Sequence, residues 1–166
     1  RLLAEAPYDS DIRGYLIQEL DSRGELGKLA ELLINLPALS LDERRVLVRT
    51  YESIGDFAKA ESVQSYLVAE APSAQNFGRH AALLRRLNRP EDSVQSYLNA
   101  ARSSTMPVEQ QQYYEEALQS LAKGVDTSVL RFSILNELGE TIGFDGEMID
   151  RLASCASTRE HWLRLL

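Results

Sequence analysis

The chain has 166 residues, 44% of them hydrophobic and 26% charged, and a formal net charge of −7. This balance is typical of a folded chain and excludes an intrinsically disordered one. The net negative charge argues against nucleic acid as a partner, because phosphate binding needs a dominant basic surface. No apolar run reaches the length of a membrane span, so we expect no membrane contact by this segment.

Two features of the chain limit its chemistry and its context. The single cysteine, Cys155, excludes an internal disulfide framework and a multi-cysteine zinc site. The chain begins with Arg1 rather than Met, and both of its ends have helical patterns. We therefore expect it to be a piece of a longer protein.

Apolar residues recur at intervals of three and four along nearly the whole chain, which predicts an all-α fold. Turn signals interrupt this pattern about every dozen residues and predict short helices in antiparallel pairs. The signals are Gly24, Pro37, Gly55, Pro72, Asn88, Pro90, Pro107, Gly124 and residues 139–146.

Several helix boundaries have a specific sequence cause. Ser40 and Glu43 form a capping-box pattern, which predicts a helix beginning at Leu41. Ser157 and Glu160 repeat the pattern and predict a final helix. Three residues are expected to end helices in the left-handed conformation: Gly24, Gly55 and Asn88.

The hexapeptide Ser-Val-Gln-Ser-Tyr-Leu occurs at residues 62–67 and again at 93–98. The copies are 31 residues apart, whereas the turns at Gly55 and Asn88 are 33 apart. The two copies are therefore out of frame with the turns. Because two residues rotate a helical side chain by roughly 200°, we predict that Tyr97 is buried between helices and Tyr66 lies nearer a rim.

Beyond residue 107 the pattern predicts further helices at 108–123, 127–138, 147–155 and 158–166. The glycines of residues 139–146 are interpreted as a flexible connection, because the Lys-Ser/Thr of a phosphate loop is absent. Asp145 is expected to cap the helix that follows.

The sequence offers no catalytic residue, metal site or cofactor site. His80 and His161 are interpreted as packing or surface residues, and Cys155 as a buried thiol. Glu115 and Glu116 are expected to be solvated on a polar helix face. We therefore predict a protein that is not an enzyme.

The turn spacing and the residues around it resemble the tetratricopeptide repeat (TPR), a helical hairpin of about 34 residues. The best unit has Tyr51 in its first helix, Gly55 at the turn, Ala60 at the helix crossing and Pro72 at the end. Gln64 departs from the pattern, since an aromatic residue is usual there. The resemblance implies an α-α superhelix, or solenoid, of antiparallel hairpins. Residues 1–9 would be the end of a preceding helix, and the three repeats would be 10–40, 41–74 and 75–107. Residues 108–166 would form degenerate repeats or capping helices.

In the TPR family, the concave groove is lined mainly by the first helix of each repeat. The corresponding positions here are Asp11, Gly14, Tyr15, Gln18, Asp21, Asp42, Arg45, Arg49, Glu52, Ser53, Gln75, Gly78, Arg79, Ala82, Arg85 and Arg86. Arginine dominates them, which predicts binding of an acidic partner segment. The candidate partner-binding residues are Arg45, Arg49, Glu52, Arg79, Arg85 and Arg86. The alternative is that these arginines pair with Glu52, Asp42 and their neighbours.

The chain is rich in arginine, has lysine only at Lys28, Lys59 and Lys123, and has irregular repeats. In these features it resembles the periplasmic TPR region of bacterial exopolysaccharide export proteins of the Pel, cellulose and poly-N-acetylglucosamine systems. That resemblance implies a scaffold in biofilm formation that docks a periplasmic polysaccharide-modifying enzyme or guides polymer. The net negative charge suits a cationic polysaccharide or a basic enzyme. Two alternatives remain: a cytoplasmic scaffold or chaperone for a secretion or assembly system, and the regulatory helical domain of an enzyme.

Overall fold

The computed structural model describes residues 10–121 and 127–155 of the chain. Within these ranges the regular elements are all α-helices, so the predicted all-α class is confirmed there. The helices are α1 (Ser10–Ser22), α2 (Leu26–Ile34), α3 (Leu41–Ile54), α4 (Phe57–Glu70), α5 (Ala74–Arg86), α6 (Pro90–Ser103), α7 (Pro107–Ser120), α8 (Ser128–Ile142) and α9 (Gly146–Cys155). The predicted final helix, with Ser157, Glu160 and His161, lies outside the described residues.

The chain forms two compact units. Unit 1 is Arg1–Glu70 and contains α1 to α4, and unit 2 is Ala71–Leu166 and contains α5 to α9. Within each unit, every helix packs against its neighbours in sequence. None of the described helices has both the length and the apolar character needed to cross a bilayer.

The predicted turn residues have the conformations that the sequence indicated. Ser40 accepts a hydrogen bond from the Glu43 amide, and the Glu43 carboxylate accepts one from the Ser40 amide, so the capping box is complete and α3 begins at Leu41. Left-handed φ angles of 68°, 88° and 57° occur at Gly24, Gly55 and Asn88. All three helix-ending predictions are confirmed.

Unit 1 buries one face of each of α2, α3 and α4. Its buried side chains are Leu29, Ala30, Leu33, Leu47, Val48, Thr50, Tyr51, Ala60, Gln64 and Leu67. Ala60 is fully buried at the position predicted for the close helix crossing. Gln64 is also buried, and its amide makes polar contacts that an aromatic ring at this position would not need.

Unit 2 has a continuous apolar core drawn from α5 to α9, running from Ala81 to Cys155. The α5–α6 pair is antiparallel, because the Ser93 hydroxyl donates to the Ala81 carbonyl while Ser96, further along α6, donates to Phe77, earlier in α5. The Ser93 hydroxyl lies 2.9 Å from its acceptor and is fully buried, so its polarity is satisfied.

The two tyrosines of the repeated hexapeptide occupy different environments, as predicted. Tyr97 is 4% exposed, whereas Tyr66 is 43% exposed and stacks against the guanidinium of Arg44, 3.9 Å from its ring centre. The turns therefore determine the packing phase of the helices, and the hexapeptide does not.

The predicted end of the helix at residue 138 is wrong. Helix α8 continues through the predicted loop to Ile142, and Gly139 is buried inside it, directly beneath the ring of Phe144. The connection is therefore only three residues long, and a glycine in a helix allows a ring to pack closely on the backbone. Asp145 accepts a hydrogen bond from the Met148 amide at 2.8 Å, which confirms its capping role.

A polar network crosses unit 2 between α6, α7 and α8. Arg102 donates two hydrogen bonds to Glu137, at 2.7 and 3.0 Å, and the Tyr114 hydroxyl donates to the same carboxylate at 3.1 Å. Burial, with help from Glu137, raises the pKa of Tyr114 from 10.0 to about 12. The hydrogen bond from Arg102 lowers the pKa of Glu137.

We expect Gly55→Ala to lower the free energy of unfolding by about 1 kcal/mol, since a Cβ is disfavoured at left-handed φ. Gly14→Ala is the matched control, because Gly14 lies within α1 with open space around it. That change should raise the free energy of unfolding by roughly 0.5–1 kcal/mol. Urea unfolding followed by circular dichroism measures both, and equal stability of the two variants would contradict the left-handed turn.

The Tyr114 network predicts an alkaline loss of stability. Because the pKa of Tyr114 is about 12 in the folded state and about 10 when unfolded, its contribution is complete below pH 10 and is lost as the pH rises toward 12. Tyr114→Phe should flatten the fall of unfolding free energy over that range, by up to about 1.4 kcal/mol per pH unit. Tyr15→Phe, at a tyrosine 63% exposed, is the control; identical slopes for both variants would contradict the prediction.

Candidate interaction surface

The structure places the six candidate partner-binding residues on two helices. Arg45, Arg49 and Glu52 lie on α3 in unit 1. Arg79, Arg85 and Arg86 lie on α5 in unit 2. Four of the five arginines are exposed, while Glu52 and Arg79 are partly buried. Helix α3 also carries Asp42 and Glu43 in its first turn, so its charge is mixed, whereas α5 has no acidic residue.

Helix α5 is basic from Arg79 to its C-terminal end. Its sequence contains Arg79, His80, Arg85 and Arg86 and no acidic residue, and two of the arginines fall in its last turn. Cations near a helix C-terminus are stabilised by the helix dipole. This helix therefore carries positive charge on a chain whose net charge is negative.

Some of the candidate arginines form ion pairs with carboxylates of the same chain. Arg45 pairs with Asp42, one turn earlier in α3, with 2.6 Å between nitrogen and oxygen. Arg85 pairs with Glu116 of α7, also at 2.6 Å, and its guanidinium lies 5.8 Å from the ring centre of Tyr97. Glu52, Arg79 and Arg86 also interact with other groups of the chain. For Arg45 the predicted alternative of pairing with Asp42 is therefore present.

Arg49 differs from the other candidates. Its guanidinium makes no hydrogen bond, ion pair or ring contact with any residue of 10–121 or 127–155. The side chain lines a pocket of about 180 Å³ in unit 1. The other lining residues are Asp21, Leu26, Val46, Thr50 and Ser53. Three residues assigned to the groove from the sequence, Asp21, Arg49 and Ser53, therefore meet at one site.

A second pocket of unit 1, of about 310 Å³, is more apolar. Its rim includes Ile34 and Ile54, which are 57% and 48% exposed, and Tyr51 contributes to its wall. Lys59, which pairs with Asp56 at 2.7 Å, also lines it. Exposed apolar side chains therefore lie beside a charged pair at this pocket.

Gly78 was assigned to the groove from the sequence, and the structure shows it buried instead. The Tyr113 ring of α7 covers it so closely that a Cβ on Gly78 would lie 2.6 Å from a ring carbon. Tyr113 is also 6.5 Å from Tyr97 between ring centres. The absence of a side chain at residue 78 thus lets α7 pack close to α5.

Glu115 and Glu116 were expected to be solvated, and that interpretation is wrong. Glu116 pairs with Arg85 of α5, and Glu115 accepts two hydrogen bonds from Arg151 of α9, at 2.9 and 3.0 Å. The hydrogen bond to Glu115 raises the pKa of Arg151. Adjacent glutamates on α7 therefore hold the helices on either side of it.

His80 and Cys155, the described residues that were considered for catalysis, lie in contact with other side chains or buried in the core. The His80 Nδ1 lies 3.0 Å from the Ser96 hydroxyl, which is also 3.3 Å from the Phe77 carbonyl. The Cys155 thiol is buried, as predicted. In the part of the chain that the structure describes, no three metal-ligating side chains converge.

Comparisons with known proteins identify no family for this chain. No protein-family model matches it, and no curated protein matches it. One solved structure with a similar trace is BtubC (BKLC) from P. vanneervenii, at 16% identity and a TM-score of 0.44, over 99% of this chain and 84% of that one. This likeness is too distant to assign a family or a function.

We expect Gly78→Ala to destabilise unit 2, although alanine normally favours a helix over glycine by about 1 kcal/mol. The new Cβ would displace the Tyr113 ring, and overpacking of this kind costs about 1–3 kcal/mol. In a Tyr113→Ala background the same change should become stabilising. A double-mutant cycle of unfolding free energies tests this, and an unchanged sign in that background would contradict the contact.

Proposed function

We propose that this chain is a non-enzymatic interaction scaffold: a segment of TPR-like helical pairs within a larger bacterial protein. Its place would be the periplasm, in exopolysaccharide export and biofilm formation. There it docks a polysaccharide-modifying enzyme or guides a cationic polymer. The scaffold presents the exposed side chains of first helices such as α3 and α5 to its partner.

The observation that supports the proposal is a set of ion pairs in which each pair joins two helices separated by one intervening helix. In unit 2, Arg85 of α5 pairs with Glu116 of α7, Arg102 of α6 with Glu137 of α8, and Glu115 of α7 with Arg151 of α9. The partners are 31, 35 and 36 residues apart in sequence. Stacked hairpins of about 34 residues bring side chains together at this separation.

Unit 1 supports the same architecture. Arg13 of α1 pairs with Glu43 of α3 at 3.3 Å, and both side chains are largely buried. The α3–α4 connection is two residues long and contains the left-handed Gly55. A single hairpin leaves an apolar face uncovered, so stacking of neighbours forms the core and leaves an extended surface for binding.

The chemistry of that surface favours binding over catalysis. Its ionisable groups are exposed or paired with one another, and the one histidine described is held by a serine hydroxyl. Catalysis needs a nucleophile, a base and an orienting group brought together. A basic strip on a helix instead recognises carboxylates through paired hydrogen bonds, which the planar guanidinium group makes well.

The candidate arginines are tested by charge reversal. We expect Arg49→Glu and Arg86→Glu each to weaken binding of a labelled glutamate-rich peptide by about 10-fold, because each replaces an attraction with a repulsion. Fluorescence anisotropy titration at two salt concentrations measures the affinity. Arg131→Glu on α8 is the control, because it changes the net charge equally at a residue outside the candidate set.

Two results would contradict the proposed surface. One is unchanged affinity for the peptide in Arg49→Glu and Arg86→Glu variants whose circular dichroism matches the wild type. The other is an equal loss in Arg131→Glu, which would show that only net charge matters. Fractionation of cells that express the longer protein tests the compartment, and recovery in the cytoplasm would exclude the export role.

A further inference from the structure

The pocket between the end of α1 and helix α3 holds charged groups that have no partner among the described residues. Neither the Asp21 carboxylate, the Arg49 guanidinium nor the Ser53 hydroxyl has a partner among residues 10–121 and 127–155. The other basic residues described in unit 1 each have a carboxylate or a ring: Arg13, Arg23, Lys28, Arg44, Arg45 and Lys59. Arg49 is the exception among the described basic residues of unit 1, and it lies in a pocket.

The two charges in this pocket have opposite signs and do not pair with each other. Asp21 is near the end of α1 and Arg49 is in the middle of α3, so the two charges that line the cavity belong to separate helices. A lone anion would meet the repulsion of Asp21, and a lone cation that of Arg49. The electrostatics therefore favour a ligand that carries both charges and is neutral overall.

The remaining walls define the size and polarity of that ligand. Leu26 and Val46 supply apolar surface, while the Ser53 hydroxyl can donate or accept one hydrogen bond. The Thr50 hydroxyl already donates to the Val46 carbonyl at 2.9 Å, so it is not available as a donor. The volume of about 180 Å³ lies below the roughly 300–1,000 Å³ of sites for drug-sized molecules.

We propose that this pocket binds a zwitterion of amino-acid size. Its carboxylate pairs with Arg49, its ammonium group pairs with Asp21, and its apolar side chain packs on Leu26 and Val46. Both ion pairs are charge-assisted hydrogen bonds, the stronger class in proteins. The inference goes beyond the scaffold function, because the ligand is a small molecule and the pocket lies wholly within unit 1.

The test uses the full chain, labelled with nitrogen-15, and leucine as the probe. We expect saturable amide shifts at the end of α1 and along α3. Two matched ligands each lack one charge: N-acetylleucine has no ammonium group and leucinamide has no carboxylate. Each should bind at least about 10-fold more weakly than leucine, because one charge-assisted hydrogen bond is lost and one charge of the pocket is left unpaired.

Variants assign the two charges. Asp21→Asn should weaken leucine binding about 10-fold without weakening N-acetylleucine, an anion that Asp21 repels, and Arg49→Gln should weaken leucine without weakening leucinamide, a cation that Arg49 repels. Both side chains are exposed, so both variants should fold. Arg86→Glu, in unit 2, should leave leucine binding intact even if it weakens the acidic peptide, so this inference and the scaffold function can fail separately.

Three results would overturn the proposal. These are the absence of saturable shifts with leucine, equal binding of leucine and N-acetylleucine, and leucine shifts that survive in the Asp21→Asn and Arg49→Gln double variant. Binding of a peptide with neighbouring lysine and glutamate side chains, without binding of leucine, would assign the pocket to a protein partner and would also overturn it.

Discussion

Close helix packing at small buried residues is the constraint on which this structure depends. Ala60, Ala81 and Ala100 are completely buried, and Gly78 is covered by the Tyr113 ring. Two helices come within about 8–10 Å of each other only where the side chains at the contact allow it. Small residues at these crossings therefore let each short helix bury a face against its neighbours, which no pair of this length achieves alone.

The same close approach determines how polar groups are satisfied in the core. The Ser93 hydroxyl reaches the Ala81 carbonyl because the two helices are close there. Gln64 is buried as well, and it interacts with other groups of the chain. A buried polar group without such partners would cost free energy, so these two residues require neighbours placed to receive them.

Local signals in the sequence predicted the local structure correctly. The capping box at Ser40, the left-handed turns at Gly55 and Asn88, and the different burial of Tyr66 and Tyr97 all depend on residues within a few positions of one another. Their physical causes lie within one helix or one turn. For that reason, propensity and spacing are sufficient to predict them.

Contacts between distant residues were not predictable in the same way. Glu115 and Glu116 find arginines 36 and 31 residues away, and many other charged residues were equally available in the sequence. Gly78 was predicted to line the groove, but the Tyr113 ring covers it. Gly139 was predicted to lie in a loop, but it lies in a helix beneath the Phe144 ring. In each case the partner lies on another element or beyond a turn, so helical periodicity alone does not identify it.

Pairing within the chain determines which charges remain for a ligand. The net charge of −7 is a property of the whole chain, but charges separated by more than about 8 Å are largely screened at physiological salt. A bound group therefore responds mainly to the side chains next to it. Around Arg49 these include Asp21, whose charge weakens the attraction for a simple anion while attracting an ammonium group. A ligand with both charges gains from both residues, and its zero net charge leaves it unaffected by repulsion from the acidic remainder of the chain.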